Sequence, residues 1–466
     1  MMGLITIVAA AGLIWLAVVV LRVPPLLVAL ATVLIGAALG AAFLTFPIAG
    51  VRMTLDRLML PLLIAAFIVQ RQQGRFQPKF VGHTEWLLLA FLAWITVSML
   101  LNDFRLAFGH SSTPLWRWST AYCIPIAIYF LVRESSPSPL ALRSLQVVLV
   151  LFGIYLAFTG LCEIAHVWAL VFPKHIADPT AGIHFGRARG PMVTSVSFGL
   201  YLGVALLALW AIRDRLGRAR WFVLPPLTAL FAAALYFSYT RSSWLGTGAG
   251  LLLLLAASMR GRARALVVTA AASCAVLLLA TKLDKIVSLQ REQTAAVAKD
   301  SAECRLSFAY VSWRMFQDSP VWGFGFGQFP VAKMPYISDR IDLPLEQIRP
   351  LVHHNTYLSL LTETGFVGLF LFVATLFGLA LNAWRWARHP ATPPWARRQA
   401  VLLLAAIGLY ACQYAFHELS YSTIDNSLLF LLAGATTGAC FQQSHSGVTD
   451  AAAKHSPSLQ LTTPAT

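Results

Sequence analysis

The sequence predicts an all-α, polytopic integral membrane protein. Three observations carry that prediction. Of 466 residues, 58% are hydrophobic and only 12% are charged, with a mean hydropathy of +0.70, a balance that a water-facing surface cannot accommodate. Charge-poor runs near the length needed to cross a hydrocarbon core, about 20 residues, recur from end to end. The runs are unbroken rather than alternating, which argues against a closed β-barrel.

Thirteen candidate spans follow in order, near 4–21, 25–46, 57–70, 86–101, 119–132, 145–168, 192–212, 221–240, 243–259, 264–281, 355–382, 398–417 and 427–441. The first run lacks a cleavage-site pattern and is expected to be a retained helix. The Arg22–Pro25 break could mark half-helices, and 57–70 is the weakest run. About twelve true crossings are expected. The chain then divides into an N-terminal bundle at 1–281, a polar insertion at 282–354, C-terminal helices at 355–441 and a Ser/Thr/Ala-rich tail at 442–466 expected to be disordered.

Loop charge sets the orientation. The segments 71–79, 213–220, 260–264 and 385–398 are short, basic and on one consistent side, assigned to the cytoplasm, where the tail also falls. The net charge of +16 therefore reads as topology and contact with anionic membrane lipids, not nucleic-acid binding, since no basic domain stands clear of the bilayer. The outer side receives 102–118, 169–191, the tight turn at Thr240–Ser243 and the long insertion. That insertion carries nine Arg/Lys and eight Asp/Glu. Tyr310, Trp313, Met315 and Phe316 lie at helical spacing, so a small, partly helical cap is expected. The six cysteines show no CxxC or Cys/His spacing that would suggest zinc or a disulfide framework.

Chemistry-bearing residues gather on that outer side. LVHHNTYLSLLTETGFVG at 351–368 sets His353, His354 and Asn355 directly before an apolar run. Asn355 suits a helix N-cap. The histidines either sit in the headgroup zone or place a neutral imidazole, able to take a proton, at the mouth of a membrane cavity. Arg241, in SYTRSSW, lies in a turn so tight that its charge is at the membrane surface, where it snorkels or meets an anion such as a phosphate. Arg187 and Arg189 precede span 192–212, with Gly190–Pro191 allowing a sharp helix start. Arg305 opens the helical part of the cap. Four cations and a histidine pair on one face describe a site for a lipid bearing phosphate or pyrophosphate.

GFGFGQF at 323–329 has no Lys-Ser/Thr and no strand–helix frame, so it is a flexible turn rather than a phosphate loop. His417 and Glu418 either orient a base or fill an exposed loop. Glu163 and Glu363 are buried hydrogen-bonding groups or line a cavity. No Asp-x-Asp pair or DDxxD run is present, and no metal or cofactor is expected.

His354-Asn355, nine residues, then Gly365-Phe366-Val367-Gly368 resembles the histidine–asparagine…glycine-x-x-glycine signature of bacterial O-antigen ligases. O-antigen polymerases and protein O-oligosaccharyltransferases share it more loosely. TRSSW at 240–244, and Arg305 followed by Trp313 and Ser-Pro-x-x-Gly-x-Gly at 319–325, add to the resemblance, which covers about 185–382. It implies a GT-C-like membrane glycosyltransferase with about twelve helices and a periplasmic cap, in the bacterial inner membrane. Such enzymes move a glycan from undecaprenyl pyrophosphate to lipid A–core without nucleotide or metal. The resemblance makes His354 the general base and Arg241 and Arg305 the donor-pyrophosphate ligands, with Arg189 and Arg187 added by position. Asn355, Gly365 and Gly368 carry the motif. The doubled histidine leaves the base open between His353 and His354. A monomer is expected.

The rival readings are a polymerase, which lengthens a second lipid-linked glycan, a protein-glycosylating relative, and a lipid or ion transporter. A transporter would show mid-membrane charge pairs and internal repeats. The sequence shows few of the former and no repeat.

Overall fold

The computed structural model describes residues 12, 15–48, 51–76, 78–105, 113–259, 261–266, 269, 295–339 and 341–454. The elements in chain order are α1 (Pro25–Ala38), a short antiparallel pair β1 (Phe46–Ile48) and β2 (Val51–Met53), α2 (Leu55–Gln72), α3 (His83–Leu100) and α4 (Pro114–Glu134). There follow α5 (Pro139–Ile164), α6 (Ser195–Ala211), α7 (Arg220–Phe237) and α8 (Arg241–Ser258). The cap supplies α9 (Ala295–Asp318), and the C-terminal bundle is α10 (Thr356–Arg388), α11 (Pro394–Phe416) and α12 (Thr423–Lys454).

Among the described residues, six helices are long and apolar enough to cross a membrane: α3, α4, α5, α10, α11 and the stretch Arg213–Phe237 that contains α7. Three shorter apolar helices accompany them, α1, α6 and Ile424–Cys440 of α12. The protein is a multi-pass membrane protein. Apolar runs overstate helix length because other structure consumes their ends. The run 25–46 holds a helix of only 14 residues, about 21 Å long, before a turn and β1. The run at 192 begins with a 3-10 turn, Gly190–Met192, so Pro191 sits before α6 rather than inside it. Of the span expected at 264–281, only 264–266 and 269 lie within the described residues. The tail expected to be disordered from 442 continues α12 as far as Lys454; its Ala451–Ala453 run is strongly helix-forming.

Small residues set the packing at the centre, as expected where lipid removes the hydrophobic drive between helices. Nearly every side chain of α6 is buried. A Cβ on Gly203 of α6 would lie 2.5 Å from Thr247 Oγ1 of α8, and one on Gly250 would lie 2.7 Å from the Ala405 carbonyl of α11. α6, α8 and α11 therefore meet nearly backbone to backbone. This fixes the start of α8, at Arg241, against the end of α11, where His417 follows.

The cap has its own core of Phe308, Val311, Met315, Phe329, Ile337, Leu345 and Ile348. It is docked by a break in α10. Gly365 has φ 67° and ψ −172°, which is not helical, and only glycine adopts that region readily. The break frees three carbonyls, and each finds a donor. Thr362 O accepts from Phe324 N–H and Glu363 O from Gly325 N–H, both at 2.9 Å; Thr364 O accepts from the Trp94 indole at 2.9 Å. In return Phe366 N–H donates to Pro320 O at 2.8 Å. GFGFGQF is therefore not the flexible turn expected but a closely packed clasp. Its Gly323 has no room for a Cβ, which would lie 2.5 Å from the Glu363 carbonyl carbon.

Gly365→Ala tests the clasp. The new Cβ would lie 2.0 Å from Val321 O, a backbone atom that cannot swing away. A loss of at least ~2–3 kcal/mol is expected from backbone strain and collision. Thermal unfolding in detergent and protease sensitivity of the cap are the readouts. An unchanged transition would mean that the break does not hold the cap.

Candidate active site

The site lies at the cap-side ends of α4, α8, α10 and α11. Asn355 caps α10, its Oδ1 accepting from Leu358 N–H at 2.9 Å, while its Nδ2 donates to Ala415 O at 2.7 Å. Thr356 Oγ1 donates to His417 O at 2.9 Å and accepts from Leu419 N–H at 3.1 Å. These bonds clamp the 415–419 segment to the residues just after the histidine pair.

The two histidines have different surroundings. His353 is buried, with ring centroids 5.3 Å from Phe308 and 4.4 Å from Phe329. Its Nε2 is 2.9 Å from Ser312 Oγ, and its Nδ1 has no hydrogen-bond partner. Burial first, then the charges of His354, Arg117 and Lys333, push its pKa well below the usual 6.5. It belongs to the cap core. His354 is exposed, with only an edge contact to Phe308 at 5.3 Å. Its ring is open to solvent where the cap meets the bundle, yet surrounding protein still desolvates it and lowers its pKa. Arg305 and Lys333 push the same way, and Glu418 opposes them.

Lys333, which sequence reasoning passed over, is buried and donates from Nζ to Ile348 O at 2.6 Å and to Leu351 O. It thereby ties down the strand that delivers the histidines. Burial, then Arg349, lowers its pKa to about 8.

His417 completes the rim. Its Nε2 is 2.9 Å from Ser242 Oγ, which in turn donates to Gln413 Oε1 at 2.8 Å. A hydroxyl has one proton, so Nε2 must be the donor to Ser242. Burial, with Arg305, His354 and His184, lowers the His417 pKa to about 3. The ring is therefore a neutral prop for the first turn of α8. Arg241 opens that turn and is half-buried; Arg305 is exposed, and Arg187 is half-buried in the loop before α6. Arg305 bears on both His354 and His417, so the site joins cap and bundle.

Arg189 does not join this group. It is fully buried, with Nε 3.1 Å from Glu163 Oε1 and with Ala181, Ile176 and Asp178 carbonyls on its terminal nitrogens. Its donors are committed to the protein, which leaves it unsuited to the pyrophosphate role expected from position. Arg189 is a strut that folds the 165–194 loop.

Beneath the site is a network centred on Arg117, the largest feature that sequence reasoning missed. Arg117 is 1% exposed. Its Nη1 donates to both Glu363 oxygens at 2.8 Å, its Nη2 to Ser359 Oγ at 2.9 Å and its Nε to Ser420 Oγ at 2.5 Å. Glu418 lies 3.6 Å away, and the guanidinium stacks on Phe326 and Tyr421 at 4.8 and 4.9 Å. A π-turn over Ser119–Cys123 follows it within α4, a feature frequent at functional positions.

Residues 226–373 match the family described as O-antigen ligase. That stretch is similar to O-antigen ligases. The matched residues include Arg241, Arg305, the histidine pair, Asn355, Gly365 and Gly368. Arg117, His417 and Glu418 lie outside it and join the site through the fold. None of the curated proteins compared with the chain matches it.

Proposed function

We propose that this protein is a membrane glycosyltransferase that moves a glycan from undecaprenyl pyrophosphate to lipid A–core at the periplasmic face of the inner membrane. The reaction belongs to lipopolysaccharide biosynthesis and proceeds without a metal. The observation that carries the reading is the surroundings of His354. An exposed imidazole, its pKa lowered by desolvation and by Arg305, lies in the stretch similar to O-antigen ligases, where the cap meets the bundle.

His354 takes the proton of the acceptor sugar hydroxyl as the oxygen attacks the anomeric carbon. The bond from that carbon to the pyrophosphate oxygen breaks, and its electron pair leaves with the pyrophosphate. Arg241 and Arg305, with Arg187 at the rim, neutralise the charge gathering there. The leaving group is already good, so no general acid is needed. A single displacement inverts the anomeric centre.

The test uses purified protein, undecaprenyl-pyrophosphate-linked glycan and lipid A–core with EDTA present. A ladder of glycan-capped lipid A on a gel is expected. Lengthening of the undecaprenyl-linked glycan with no capping of lipid A would make the protein a polymerase instead. Loss of all transfer on chelation, restored by a divalent ion, would overturn the metal-free mechanism.

A further inference from the structure

The Arg117 network contains two buried carboxylates, Glu363 and Glu418, facing one guanidinium. Glu363 takes the close contact at 2.8 Å and Glu418 the distant one at 3.6 Å. The Glu418 side chain is only 2% exposed. Its Oε1 accepts from Ser420 N–H and Oγ–H at 3.1 and 2.5 Å, whereas its Oε2 is buried with no hydrogen-bond partner. Glu163, which folds the loop before α6, looks different. Glu163 has both oxygens filled, Oε1 by Arg189 Nε at 3.1 Å and Oε2 by the Arg189 and Gly190 amides at 2.9 Å. An unsatisfied buried carboxylate oxygen is costly.

We propose that Glu418 is a positioning residue for His354, its carboxylate supplying the counter-charge for the imidazolium formed when the ring removes the acceptor hydroxyl's proton. The inference rests on the assignment of His354 as base. The Asn355 and Thr356 bonds to Ala415, His417 and Leu419 hold the backbone on either side of Glu418 against the two residues that follow the histidine. The charged and titratable groups around the ring are Arg305 and Lys333 from the cap, His353 before it, and His417 and Glu418 from the segment after α11; Arg117 from α4 bears on His353 and pairs with Glu418. The cations among them oppose a proton on His354, and Glu418 favours one. Without that carboxylate a ring set between Arg305 and Lys333 is a weak base. The proton passes from the acceptor hydroxyl to His354 and then to water or to the released pyrophosphate, and Glu418 takes no part in the transfer itself.

Removing the Glu418 charge lets His354 lose its proton at lower pH, so the acidic limb of the pH–rate profile moves down. The plateau falls as well, because the imidazolium is no longer offset. Glu418→Gln keeps the shape and the Ser420 contacts, and Glu418→Asp keeps the charge. In the full-length enzyme, with the same lipid-linked donor and lipid A–core, Glu418→Gln is expected to lower kcat about tenfold or more. Its acidic limb should move to lower pH, and Glu418→Asp should bring the limb back. An acidic limb that stays in place in Glu418→Gln, with or without a lower kcat, would overturn the proposal and leave Glu418 structural. His354→Ala run in parallel separates the two ideas: if it retains transfer, the base assignment fails, whatever Glu418 does.

Discussion

His354→Ala is expected to insert and fold like the wild type and to lose glycan transfer by about 10²–10⁴-fold, the usual share of a positioned general base. Folding should survive because the ring is exposed and touches the cap only edge-on at Phe308. The neighbouring ring predicts the opposite result. His353→Ala removes a side chain buried between Phe308 and Phe329 and bonded to Ser312, so it should loosen the cap and lower the thermal transition. Two adjacent histidines thus separate by readout, one through kcat and the other through stability. The wild-type profile adds a check. Desolvation and Arg305 lower the pKa of His354, so the base is neutral through the physiological range, and the acidic limb should lie below the ordinary 6.5 of a free imidazole. Near-wild-type transfer by purified, folded His354→Ala would remove His354 from the mechanism.

Much of this organisation is legible in the sequence, for definable reasons. Helices announce themselves by apolar length, and every candidate span outside 4–21 and 264–281 falls on a described helix. Arg241 at the start of α8 and Asn355 before α10 could be located because turns and caps are local features. What was not legible depends on contacts distant in sequence. Arg189 looked like a ligand because its partner, Glu163, is 26 positions away. The glycine run looked flexible because nothing local shows that Gly365 breaks α10 and frees carbonyls for it. Arg117 carried a usable signal. It is a cation at the start of an apolar span, and Glu363 is an anion inside another on the same side; charges so placed are rarely tolerated without a partner.

Arg117→Ala should be among the most destabilising single changes in the protein, costing roughly 3–5 kcal/mol, because it leaves buried charges without their cation. The charge count makes the prediction specific. Truncating Arg117 strands two carboxylates and also removes the stack on Phe326 and Tyr421. Glu363→Gln leaves Arg117 facing Glu418 alone, one charge against one, and should cost clearly less. In the Arg117→Ala/Glu363→Gln double variant one stranded charge is gone, so the losses should fall short of additive, as contacting residues in a network do. Thermal unfolding of the four proteins in one detergent measures the cycle. Additive losses would mean that Arg117 and Glu363 act independently, and a small effect of Arg117→Ala would mean that its site is open to water. The same measurement bears on transfer. Through Ser420 the guanidinium holds the segment that carries Glu418, and through Ser359 and Glu363 it holds α10 just below the histidines. Activity should therefore fall with stability in Arg117→Ala, whereas it falls alone in His354→Ala.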